Sequence, residues 1–143
     1  MDTAYETDVV VWAEEQVALL KAGRLSQIDA ENIAEEIAAV STSERRELRH
    51  RCAVLLAHLL KWRYQPRLRG NGWFSTITEQ RECIEEVLTD SPSLRRLLPD
   101  PDWYAYVYRR ARNLAQRETK CVDFPEQCPW PVEVVLSPDF LPD

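Results

Sequence analysis

The sequence predicts an all-α fold, a single-domain helical bundle of about four main helices with short helices and a proline-rich C-terminal tail. Three observations carry this. Only three glycines occur in 143 residues, Gly23, Gly70 and Gly72, which is few for hairpin turns. Alternation of apolar and polar residues with period two is nearly absent, which argues against a sheet. Apolar residues recur instead at three- and four-residue spacing. At this length one domain, residues 1–143, is the default, and its core can cover roughly 70% of the unfolded surface.

The first helix starts after Asp8 as N-cap and carries Val9, Trp12, Ala13, Gln16, Val17 and Leu20 on one face. It ends where Gly23 can take the left-handed cap conformation. Residues 1–7 are expected to be flexible. The second start uses Asp29 as N-cap, with Ile28 and Ile33 placed for a hydrophobic staple. Ile33, Ile37 and Val40 then line one face. Ser41 and Glu44 could form a capping box that opens a third helix, or the chain could run through Ser41-Thr42-Ser43 as one long helix. Both remain open. Leu48, Cys52, Leu55, Leu56, Leu59 and Trp62 form the apolar stripe of the expected core helix, which Pro66 stops.

A fourth helix is expected from about Trp73 to Leu88, with Ile77, Ile84, Val87 and Leu88 inward. Ser91-Pro92 reads as N-cap and first residue of a short helix ending near Pro99. Asp100-Pro101 opens the last long helix, carrying Tyr104, Val107, Tyr108, Ala111, Leu114 and Ala115. From Cys121 onward five prolines leave room for one short helix near Pro131 to Leu136. Residues 121–143 are otherwise expected as an irregular tail packed on the bundle through Phe124, Trp130 and Phe140.

Charge is segmented. The net charge is -6 overall, from 18 basic and 24 acidic side chains. Residues 1–44 hold ten acidic and two basic side chains, whereas residues 45–82 hold nine basic and three acidic. An acidic total disfavours bulk attraction to nucleic acid or anionic membrane, but leaves room for a local basic face. No apolar run approaches the ~20 residues that span a bilayer, so no membrane partner is expected. The N-terminus, Met-Asp-Thr-Ala-Tyr-Glu, lacks the apolar core of a signal peptide, and a cytoplasmic location is the expectation. Cys52, Cys83, Cys121 and Cys128 show no C-x-x-C spacing and read as reduced thiols.

Several landmarks occur in order along nearly the whole chain. The most specific is His58-Leu59-Leu60-Lys61-Trp62-Arg63-Tyr64-Gln65-Pro66, followed by Trp73, Thr76-Ile77, Glu79-Gln80-Arg81 and Ser91-Pro92-Ser93-Leu94. Upstream stand Leu19-Leu20 with Gly23 and Glu31-Asn32-Ile33-Ala34-Glu35-Glu36-Ile37. Near the end come Phe124-Pro125, Cys128-Pro129 and Asp139-Phe140-Leu141-Pro142. In these motifs the sequence resembles Domain of Unknown Function family 29. The resemblance implies a bacterial, cytoplasmic, helical protein and lends no reaction. Two departures stand out: Lys120 occupies a position where the family tends to have glycine, and Ala38 and Ser41 replace a third acid and a glycine after Glu35-Glu36.

Four constellations are candidates for function. Arg63, Arg67 and Arg69 precede Gly70-Asn71-Gly72 and a helix start, where free N–H groups and the helix dipole favour an anion. Tyr64 and Trp73 add aromatic faces on which a base could stack, so this turn is the candidate for nucleic acid or a phosphate ligand. The plainer reading is that these arginines neutralise the acidic helix containing Glu31, Glu35 and Glu36, or form a merely solvated face. Trp103, Tyr106, Arg109 and Arg110 form the candidate partner surface, because aromatics at 103, 104, 106 and 108 cannot all face one side of a helix. Glu35, Glu36 and His58 are a candidate polar core group. Glu47 and His50 share the Glu-x-x-His spacing of a metal site, a weak candidate because no second such pair occurs.

No catalytic residue and no cofactor are assigned. G-x-S-x-G, G-x-x-x-x-G-K-[ST] and G-x-G-x-x-G are all absent, which removes the best sequence support for hydrolase-elbow and nucleotide-loop chemistry. The leading expectation is therefore a non-enzymatic protein-interaction module, with an unknown protein partner or self-association. Nucleic-acid or phosphate-ligand binding is the alternative, and a metal-dependent enzyme the third.

Overall fold

The computed structural model describes residues 4–120 and 123–143. Its long elements are α2 (Val9–Lys21), α3 (Ala30–Tyr64), α4 (Asn71–Asp90) and α5 (Pro101–Thr119), with single-turn helices α1 (Ala4–Thr7) and α6 (Val132–Val135). Short 3₁₀ segments at Leu25–Gln27, Pro66–Leu68 and Pro92–Leu97 connect them. Among the described residues there is no strand, so the all-α class holds. The contacts gather into two compact units, residues 1–42 and 43–143, and α3 contributes to both.

In the first unit, Asp8 caps α2 as expected, accepting from the N–H groups of Val10 and Val11 at 3.2 Å. Gly23 adopts φ +73°, the left-handed region that glycine enters without a Cβ clash. Residues 4–7, expected to be flexible, form the turn α1, and Tyr5 donates its hydroxyl proton to Glu36 Oε1 at 2.7 Å. That bond and the surrounding carboxylates push the Tyr5 phenol up to about 12. Asp29 is the polar centre. Its carboxylate accepts from Trp12 Nε1 (3.1 Å) and Asn32 Nδ2 (2.7 Å) and caps α3 through the Asn32 N–H, while its own N–H donates to Gln16 Oε1. These bonds hold the Asp29 carboxyl below its usual range, the Asn32 side chain contributing most.

One long helix runs through Ser41-Thr42-Ser43, so no separate helix opens at Ser41. Within that stretch Thr42 donates its hydroxyl to the Ala38 carbonyl at 3.1 Å, a bond made one turn back inside the continuous helix.

The second unit contains the main core. Leu48, Leu55, Leu56, Leu59 and Leu60 of α3 meet Ile77, Ile84 and Leu88 of α4 and Val107, Tyr108 and Ala111 of α5 in one cluster, which the tail completes with Phe124 and Val135. Cys52 lies inside it as a small apolar residue, and burial pushes its thiol up to about 12. Cys52, Cys83 and Cys128 are free thiols; Cys121 lies outside the described residues. Asp100 caps α5 through the N–H groups of Asp102 and Trp103.

The tail has few backbone partners of its own, and side-chain donors from the bundle supply them. Arg81 donates to the carbonyls of Val135, Pro138 and Phe140. Arg112 serves Phe124, Tyr108 serves Pro125 and Tyr104 serves Trp130. Proline removes the N–H that a regular element would need, and half-buried carbonyls still require donors.

Candidate functional site

At the C-terminal end of α3 the chain buries a cation. Lys61 is 3% exposed, and its ammonium has three donors. One reaches Glu118 Oε2 on α5, one reaches His58 Nε2 at 3.4 Å, and the charge lies 5.3 Å from the centre of the Trp73 ring on α4. His58 donates Nδ1–H to the Val54 carbonyl at 2.9 Å, because a carbonyl can only accept. Nε2 is thereby left with the lone pair that faces Lys61. Burial lowers the His58 pKa below its usual value, and the Lys61 charge adds to the effect. The imidazole is neutral at pH 7, satisfied at both nitrogens, and works as a packing and hydrogen-bonding group.

The basic turn is divided between structural and free arginines. Arg69 donates to the Trp62 carbonyl at 2.6 Å and to the Pro142 carbonyl at 3.5 Å, with its guanidinium 5.2 Å from the Trp62 ring. It is a fastener for the tail. Arg63 is exposed and lies 5.0 Å from the Tyr64 ring, while Tyr64 itself packs edge-on against Phe124. Arg67 is exposed. Trp73 covers Lys61 from one side. Of the five residues expected as one anion site, Arg69 holds the tail, Tyr64 packs on Phe124, Trp73 covers Lys61, and Arg63 and Arg67 stay exposed.

The expected partner surface is more coherent. Tyr106 is 39% exposed on α5, and three guanidiniums surround its ring: Arg49 of α3 at 5.5 Å, Arg109 at 5.6 Å and Arg110 at 5.9 Å. Arg110 also donates to the Tyr106 hydroxyl at 3.4 Å. That bond, followed by the three positive charges, lowers the Tyr106 pKa. Trp103 is half-buried against the core instead of joining them. Arg49 belongs here as well; its separation of 57 residues from Tyr106 hides the pairing from the sequence.

Two further groupings are corrected. Glu35 and Glu36 are exposed, and both lie about six helical turns before His58 on the same α3. They are solvent-facing rather than core residues, and the partners that hold His58 are Val54 and Lys61. Glu47 lies 3.7 Å from Arg51, and His50 is exposed. Among the described residues no three His, Cys, Asp or Glu side chains gather in a geometry that could hold a metal ion.

The family model for a domain of unknown function, DUF29, matches residues 4–141. The chain belongs to the DUF29 family. The match spans both compact units, so α2 and the acidic half of α3 are as much part of the DUF29 domain as the core around Leu56. No curated protein and no solved structure matches the chain. In this DUF29 chain, Lys120 is the described non-glycine residue with positive φ, at 59°. It ends α5 in the left-handed conformation, which explains why glycine suits this position. Among the described residues, no helix is long and apolar enough to cross a membrane.

Proposed function

We propose that this DUF29 chain is a non-enzymatic interaction module of the bacterial cytoplasm that binds an acidic segment of a protein partner through Tyr106. The observation that carries this reading is the ring of three guanidiniums around an exposed phenol. Tyrosine and arginine supply most interface hot spots, because a rigid amphipathic ring and a planar cation lose little entropy on contact. Guanidiniums that already flank the ring offer paired donors to Asp or Glu carboxylates. The neutral state and closed bonding of His58 give a proton-transfer role no support, and Cys52 is buried with a raised pKa.

The test is fluorescence anisotropy with a labelled Asp/Glu-rich peptide and, separately, a labelled single-stranded oligonucleotide. The peptide is expected to bind, and Tyr106→Ala with Arg110→Ala is expected to weaken it by at least about tenfold. An oligonucleotide that binds tightly at low salt, loses affinity steeply with added salt, and depends on Arg63 and Arg67 instead would replace this reading with the nucleic-acid one. Peptide binding unchanged in the double variant would refute it.

A further inference from the structure

The N-terminal unit carries apolar surface far beyond what it buries. Among its described residues only Trp12 and Gln16 are buried, a very small core for a unit of about this size, and units this small usually need a partner or a cross-link. Meanwhile Val9, Ala13, Val17 and Leu20 follow one another at helical spacing on α2 and are all exposed. A stripe of that width is what a helix ordinarily turns toward a core. On α3 of the same unit, Ile37 and Val40 are also exposed, at 67% and 65%.

The edges are acidic. Glu14 borders the α2 stripe and Glu31, Glu35 and Glu36 border the exposed residues of α3, all of them exposed. The first 44 residues hold ten acidic side chains against two basic ones. We infer that this unit docks an amphipathic helix of another protein whose apolar face is edged by Lys or Arg. Apolar burial supplies the attraction, and the carboxylates choose the partner, as flanking charges do in paired helices. A second copy of the same unit would set acidic edge against acidic edge, which disfavours it. This surface is independent of Tyr106, and its chemistry is opposite: acidic where that one is basic.

The probes are two 18-residue helical peptides of one pattern, a leucine stripe edged by lysine in the first and by glutamate in the second. Titrated by calorimetry into the full chain, the lysine peptide is expected to bind and the glutamate peptide not. Val17→Ser, Leu20→Ser and Ile37→Ser together are expected to weaken binding at least tenfold, with the helical circular dichroism kept because all three side chains are exposed. If that variant misfolds, Glu14→Lys with Glu35→Lys keeps the stripes and is expected to shift preference toward the glutamate peptide. Three results would overturn the inference: no binding of the lysine peptide, binding that the serine and lysine variants both leave unchanged, or a dimer in sedimentation that the serine variant converts to monomer. The last would make a second copy the occupant.

Discussion

Within one helix, α3, the segment 34–43 buries no side chain, whereas the segment from Leu48 to Lys61 buries nine. Both halves carry apolar residues at helical spacing. The difference lies in what surrounds them: the second half is enclosed by α4, α5 and the tail in one cluster, while the first half shares its unit with a single long partner helix. Helical periodicity therefore specifies which side of a helix is apolar, and neighbours decide whether that side leaves water.

The sharpest way to test this contrast is truncation on either side of it. Leu56→Ala, at a fully buried position, is expected to destabilise by about 2–5 kcal/mol in urea unfolding. Ile37→Ala on the same helix is expected to change stability by less than about 0.5 kcal/mol. Equal costs would show that the first half is packed after all. Next comes the buried ammonium. Glu118→Ala leaves Lys61 without its carboxylate and is expected to cost about 1–3 kcal/mol, while Lys61→Met, which removes the charge as well, is expected to cost less.

His58 sharpens the same cluster through pH. Its folded pKa lies below its unfolded value of about 6.5, so the unfolded chain binds the extra proton first. The stability contribution is complete above pH 6.5 and declines as pH falls below it, levelling off once the folded imidazole is also protonated. His58→Gln is expected to flatten that slope in thermal unfolding measured across pH 4 to 8. The capping positions give smaller effects. Asp8→Ala is expected to cost about 1 kcal/mol, seen as faster amide exchange confined to α2. Lys120→Gly is expected to gain up to about 1 kcal/mol, because it relieves the left-handed strain at φ 59°.

Helix starts and stops were legible because their chemistry is local. Asp8, Asp29 and Asp100 cap the helices they precede, Gly23 takes the positive φ expected of it, and Pro92 and Pro101 open the segments they were assigned. Ser91 followed the same pattern, yet it makes no side-chain cap, since Pro92–Leu97 winds as a 3₁₀ helix. The candidate site was half legible. Tyr106 with Arg109 and Arg110 could be placed outward because residues this close on one helix reveal their own arrangement. Lys61 with Glu118, 57 residues apart, and Arg49 with Tyr106 could not, because no local pattern encodes which helices become neighbours.

The sequence by itself determined the helical class, the caps, the apolar faces and the segregation of charge, all of which depend on residues within a few turns of one another. Tertiary structure alone decided which apolar faces were buried, which arginines became fasteners and which stayed free, and where a lysine could lie without water. Those outcomes depend on desolvation, and desolvation is set by the elements that arrive from distant parts of the chain.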